Sequence, residues 1–214
     1  MSKNALQWIQ RSRLVPVLRA DTPRDAIELT RLMFAGGIDV MEVTTTVPDS
    51  AAVLRLLRQE FDGRMLLGVG TVTTARDCEQ LLAAGAEFVV SPSLHPEVIA
   101  ATKVAGKLMI SGALTPTEII TAFRAGADVV KVFPCSAVGG ADYLKSIRAP
   151  FPQIPLIPTG GVTLATAQRF LDAGAIALGV GGDLVDTNAL RSGNGEAITE
   201  TARQYVNLCK SQPA

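Results

Sequence analysis

The sequence predicts a closed (β/α)₈ barrel, and three observations carry that expectation. Short apolar runs rich in Val, Ile and Leu recur at a near-constant interval. Each interval leaves room for one crossover helix. No linker, low-complexity tract or shift of composition divides the 214 residues. The runs are LVPVLR (14–19), DVMEVT (39–44), MLLGVG (65–70), EFVVSP (87–92), LMISGA (108–113), VVKVF (129–133), LIPTGG (156–161) and ALGVGG (177–182), and their starts lie 21 to 27 residues apart. Such runs suit parallel strands covered on both faces, and parallel neighbours need a crossover of about a dozen residues or more. An open doubly wound sheet is the alternative, but eight similar units favour closure. A single domain over residues 1–214 is expected, short for a fold that typically takes about 250 residues.

The helices are read from their ends. Residues 2–12 (SKNALQWIQRS) form an extra helix before the first strand. Thr22-Pro23 opens the next, with Thr as N-cap and Pro at the first helical position. Val47-Pro48 and His95-Pro96 read as further starts, and Thr115-Pro116-Thr117-Glu118 has capping-box spacing. Exits are placed at Gly36, Gly85, Gly106, Gly126 and Gly174, where a left-handed residue suits glycine. Four of them share one pattern of helix end, tight turn and strand: FAGGIDVMEV, AAGAEFVVSP, RAGADVVKVF and DAGAIALGVG. Residues 196–210 supply the last helix.

Composition excludes several function classes. Twenty basic and twenty acidic residues give zero formal charge, which argues against a nucleic-acid partner. With 48% apolar and 19% charged residues the chain can bury a core. No run approaches the roughly 18 apolar residues of a membrane helix, and MSKNALQWIQRSRL lacks a signal-peptide apolar region. Cys78, Cys135 and Cys209 stand far apart without a CxxC, as in a reduced cytoplasm. One histidine and no ligand cluster argue against a catalytic metal. There is no dinucleotide fingerprint, P-loop or Ser–His–Asp set.

Barrel enzymes place their chemistry at the C-terminal strand ends. Those positions hold Arg19, Glu42, Thr44, Thr71, Ser91, Lys131, Phe133, Thr159-Gly160-Gly161 and Gly181-Gly182. Lys131 sits inside VVKVFP. Burial disfavours a charged amine, and a desolvated amine attacks carbonyls to form a Schiff base; a structural barrel lysine satisfied by an acid is the alternative. Glu42, in DVMEVT, is its natural partner. Strands 2 and 6 feed the same interior layers, so the carboxyl either shuttles protons or serves as a salt-bridge mate.

Thr159-Gly160-Gly161 and Gly179-Val180-Gly181-Gly182 end the last two strands. They read as tight turns or as a phosphate cradle, with Asp183 arguing against phosphate if it faces inward. Arg19 is a carboxylate or phosphate holder, or a rim salt bridge. Thr71 and Thr159 either orient a carboxylate or are turn hydroxyls. His95 reads as a cap and Cys135 as a packed thiol.

Together VPVLRADTP, GGIDVMEVTTTVPDS, GVGTVT, AGAEFVVSPSL, GALTPTE, GADVVKVFP, PLIPTGGV and GVGGDLV carry a resemblance. From about Leu14 to Val185 the chain resembles the 2-keto-3-deoxy-6-phosphogluconate aldolases, whose relatives act on 4-hydroxy-2-oxoglutarate and phosphogalactonate. The resemblance implies a trimeric class I aldolase that needs no cofactor, since the imine is the electron sink. It implies Lys131 as Schiff-base lysine and Glu42 as general acid/base. Arg19, Thr71, Pro92, Phe133 and Thr159 would line the pyruvate end, and Gly160, Gly161, Gly181 and Gly182 the phosphate end. Two departures stand out: Thr46 where several members carry Arg, and Asp183 where some carry Ser. The rival readings are a phosphate-binding barrel isomerase or synthase, with Glu42 as base, and a non-catalytic barrel scaffold.

Overall fold

Eight parallel strands follow one another around the sheet: β1 (Leu14–Leu18), β2 (Val40–Thr44), β3 (Leu66–Gly70), β4 (Phe88–Val90), β5 (Leu108–Ala113), β6 (Val129–Val132), β7 (Leu156–Pro158) and β8 (Leu178–Val180). These elements come from a computed structural model that describes residues 2–210. Seven neighbour pairs run β7 to β1 and on to β8. The ring closes between β7 and β8 through a parallel bridge from Thr159 to Gly179 and the Ile176 amide donating to Leu156 at 3.0 Å. The expected (β/α)₈ barrel is the observed one.

Ten α-helices cover the described residues: α1 (Ser2–Ser12), α2 (Pro23–Ala35), α3 (Ser50–Glu60), α4 (Ala75–Ala83), α5 (Pro96–Val104), α6 (Pro116–Arg124), α7 (Ala141–Arg148), α8 (Leu164–Asp172), α9 (Thr187–Arg191) and α10 (Gly195–Lys210). Side-chain caps explain several starts. Thr22 Oγ1 accepts the Asp25 amide at 3.1 Å. At Thr115 the box closes both ways, with Glu118 N donating to Oγ1 at 3.3 Å and Thr115 N donating to Glu118 Oε2 at 2.8 Å. The Thr115 and Leu114 amides hold the Glu118 carboxyl below the ordinary carboxylate range.

Two readings of helix ends need correction. Val47-Pro48 does not open α3; the chain turns once more, and Asp49 stands at the N-cap position in a left-handed conformation at φ 50°, with no side-chain cap bond. Gly36 is not the left-handed exit of α2. It is right-handed at φ −80°, and the turn belongs to Gly37 at φ 97°. Gly36 lacks a side chain because a Cβ there would overlap Ala202 and the Thr199 carbonyl of α10.

Alternate strand residues point to two cores. Leu14, Leu18, Met41, Val43, Leu67, Val69, Val130 and Val132 face the helices in the larger one. Val15, Val40, Leu66, Phe88, Leu108, Val129 and Ile157 fill the barrel axis with Ala5 and Ile9 of α1. Helix α1 therefore plugs the N-terminal mouth, tied down by Trp8 Nε1 donating to Asp39 Oδ2 at 2.8 Å. With that end filled, open space is left at the C-terminal mouth.

Candidate active site

The inward phase set by Val40 and Val129 continues to Glu42 and Lys131, two residues further along β2 and β6. Both side chains lie inside the barrel, at 2% and 6% exposure, with Lys131 Nζ 3.6 Å from Glu42 Oε1. Nζ also stands 5.5 Å from the Phe133 ring centroid. Gly70 on the neighbouring strand makes room for the carboxylate, since a Cβ there would overlap Glu42; Gly112, paired with Lys131, makes room for the Pro92 carbonyl instead. Replacing Gly70 by Ala is expected to displace Glu42 and destabilise the fold by about 1–3 kcal/mol. A urea midpoint unchanged from wild type would contradict that account.

Above this pair opens a cavity of about 750 Å³, ample for a small ligand. Lys131, Arg19, Thr71, Pro92, Phe133, Thr159, Gly160, Gly161, Gly181 and Gly182 all line it. Glu42 stands behind Lys131 rather than on the cavity wall. Thr44 and Ser91 do not reach the cavity and serve the scaffold instead. Thr44 Oγ1 donates to the Leu18 carbonyl at 2.8 Å, and Ser91 Oγ accepts the Gly112 amide at 3.3 Å.

Two buried side-chain oxygens have no hydrogen-bond partner among the described residues: Glu42 Oε1 and Thr159 Oγ1. An unsatisfied buried group costs about 1–3 kcal/mol; Glu42 Oε1 faces the amine at 3.6 Å, and Thr159 lines the same cavity as Lys131. Thr71, β-branched yet at φ 62°, is a backbone outlier of a kind that costs about 1–3 kcal/mol and clusters at functional sites. Its carbonyl is held by Thr45 Oγ1 at 2.9 Å.

The glycines of the two loops differ. Gly160 and Gly161 have positive φ, 89° and 73°, and a Cβ on Gly161 would overlap Ser136, so their own turn demands them. Gly181 and Gly182 have no such requirement, and a Cβ on either would meet nothing within 4 Å. Nothing packed against these two residues selects glycine. Next to them, Asp183 Oδ2 accepts the Leu164 amide of α8 at 3.2 Å and the Tyr205 hydroxyl of α10. Burial, then that carboxylate, push the Tyr205 phenol up.

Other candidates fall outside. His95 occupies the N-cap position of α5 without a side-chain cap bond, and its Nε2 lies 2.9 Å from Ser93 Oγ. Cys135 is a packed thiol, 3.5 Å from the Gly140 carbonyl, and burial pushes it up to about 11. Thr46 lies against Thr44 at 2.6 Å and does not line the cavity. Sequence reasoning missed Val17, Val162, Thr163, Val185 and Thr187 on the wall. Counting back by two from Arg19 would have found Val17. Among the described residues no three His, Cys, Asp or Glu side chains group as metal ligands, and no helix is long and apolar enough to cross a membrane.

The family model for KDPG and KHG aldolase (2-keto-3-deoxy-6-phosphogluconate and 4-hydroxy-2-oxoglutarate) matches residues 6–201. The chain belongs to the KDPG and KHG aldolase family. Among curated members of the family, it is 32% identical to the 2-dehydro-3-deoxy-phosphogluconate aldolase of Treponema pallidum (strain Nichols), over 94% of this chain and 95% of that one. It is 30% identical to the 2-dehydro-3-deoxy-6-phosphogalactonate aldolase of Escherichia coli (strain K12), over 96% and 97%. A Legionella pneumophila KDPG aldolase, solved with pyruvate captured at low pH as a covalent carbinolamine intermediate, superposes with a TM-score of 0.83 at 30% identity, covering 98% of each chain.

Proposed function

We propose that the cavity reversibly cleaves KDPG, or a close 2-keto-3-deoxy or 4-hydroxy-2-keto acid, to pyruvate and an aldehyde through an imine on Lys131. The observation that carries this reading is a buried amine at the cavity floor, 3.6 Å from a buried carboxylate. A proton passed from Nζ to Glu42 leaves a neutral amine, which attacks the C2 carbonyl. Glu42 returns the proton to the carbinolamine oxygen, and water departs to leave a protonated imine. The C4 hydroxyl then passes its proton to the Glu42 carboxylate, the C3–C4 bond breaks, and its electron pair moves into the imine to give an enamine, which later takes that proton back at C3. The aldehyde leaves; protonation at C3 and hydrolysis release pyruvate and restore the lysine.

The other residues are assigned around that step. Arg19 offers its guanidinium to the C1 carboxylate. Thr71, Pro92, Phe133 and Thr159 surround the three-carbon pyruvyl end, where Thr159 Oγ1 gains a partner. The amides of Gly160, Gly161, Gly181 and Gly182 meet the far end of the chain, which is the phosphate in KDPG. A homotrimer, as the family resemblance implies, in the reducing cytoplasm that three free cysteines suit, completes the reading.

The test is a cleavage assay coupled to pyruvate detection. It pairs KDPG, its galactonate epimer, their unphosphorylated forms and 4-hydroxy-2-oxoglutarate. Pyruvate release from at least one, undiminished by a chelator, is expected. No release from any of them would refute the proposal.

A further inference from the structure

Charge at the cavity wall is unevenly placed. Among the lining residues Arg19 and Lys131 are the cations and Asp183 is the sole anion. Lys131 is committed to the imine, which leaves one guanidinium at the rim. Every 2-keto acid brings one carboxylate to claim it. A second anionic group at the far end would then meet no further cationic side chain on the wall.

What it would meet is Asp183. This carboxylate follows the open Gly181-Gly182 pair and already accepts the Leu164 amide, the first of α8. A helix N-terminus attracts an external anion because its amides are unpaired. Here the protein supplies the anion itself, and the Tyr205 hydroxyl donates to the same oxygen, Oδ2, that takes the Leu164 amide. A phosphate or second carboxylate brought to this end would face a fixed like charge, whereas a hydroxyl would find an acceptor. The Thr163 and Thr187 side chains on the same wall offer further neutral partners.

We propose that Asp183 makes the distal end of the site selective for a neutral, hydroxylated chain, so that the favoured substrate is a 2-keto-3-deoxy sugar acid with a free terminal hydroxyl. The inference rests on the aldolase reading and deepens it. It asks for no new chemistry: the same C3–C4 bond breaks, and the aldehyde released is an unphosphorylated hydroxyaldehyde.

The experiment runs the reaction toward synthesis, with pyruvate as donor and D-glyceraldehyde or D-glyceraldehyde 3-phosphate as acceptor. Wild type is expected to show the higher kcat/KM with glyceraldehyde. Asp183→Asn, or Asp183→Ser should the first not fold, is expected to shift the ratio toward the phosphorylated acceptor by about tenfold, as removal of one like charge allows. A wild-type preference for the phosphorylated acceptor would overturn the inference without any variant, and so would an unmoved ratio in a folded variant. Borohydride trapping of pyruvate on wild type separates the two failures. Trapped pyruvate with a phosphate preference overturns the specificity alone, and no trapped pyruvate overturns the aldolase reading with it.

Discussion

Replacing Lys131 by Met is expected to lower pyruvate release by about a thousandfold or more, as loss of a covalent nucleophile does elsewhere. The same change tests the packing of the site. Lys131 and Glu42 are buried together at 3.6 Å, and removing one member of a buried pair typically costs about 3–5 kcal/mol because the other is left uncompensated. Thermal or urea unfolding should therefore show Lys131→Met destabilised. Adding Glu42→Gln should recover part of the loss, since the stranded charge is gone. A purely structural lysine would give the stability result with turnover intact. A large fall in turnover, measured on protein shown to be folded, separates the two.

For Glu42→Gln the expected result is a fall in kcat of about 10²–10⁴-fold, the usual worth of a positioned general acid/base. The shape of the side chain is kept, so Gly70 still accommodates it and the fold should survive. Because Glu42 stands behind Lys131 and off the cavity wall, KM should move less than kcat. That split is the useful readout: a carboxylate that only held the lysine in place would let Gln do the same by hydrogen bonding. An unchanged kcat would refute the acid/base role.

Much of this was legible in the sequence because each barrel unit repeats one physical solution. The Thr-Pro starts at Thr22 and Thr115 are local, since a hydroxyl needs only its own next turn. The 21 to 27 residue spacing of apolar runs likewise reports one strand and one crossover at a time. The inward phase of the strands was hidden, since both faces of each are apolar, except where Glu42 and Lys131 betrayed it. Gly36 misled because crowding by α10 and a left-handed turn both select glycine. The short 3-10 helix Cys135–Val138 and α9 carry no apolar period long enough to see. The state of Asp183 was beyond sequence reasoning, because Tyr205 and Leu164 reach it only through the fold.

The most direct measurement is reduction of the wild-type protein with borohydride in the presence of pyruvate, followed by intact mass and peptide mapping. The proposed chemistry predicts one reduced pyruvyl adduct per chain, on Lys131, absent from Lys131→Met. An unmodified protein, or an adduct confined to another lysine, would contradict it.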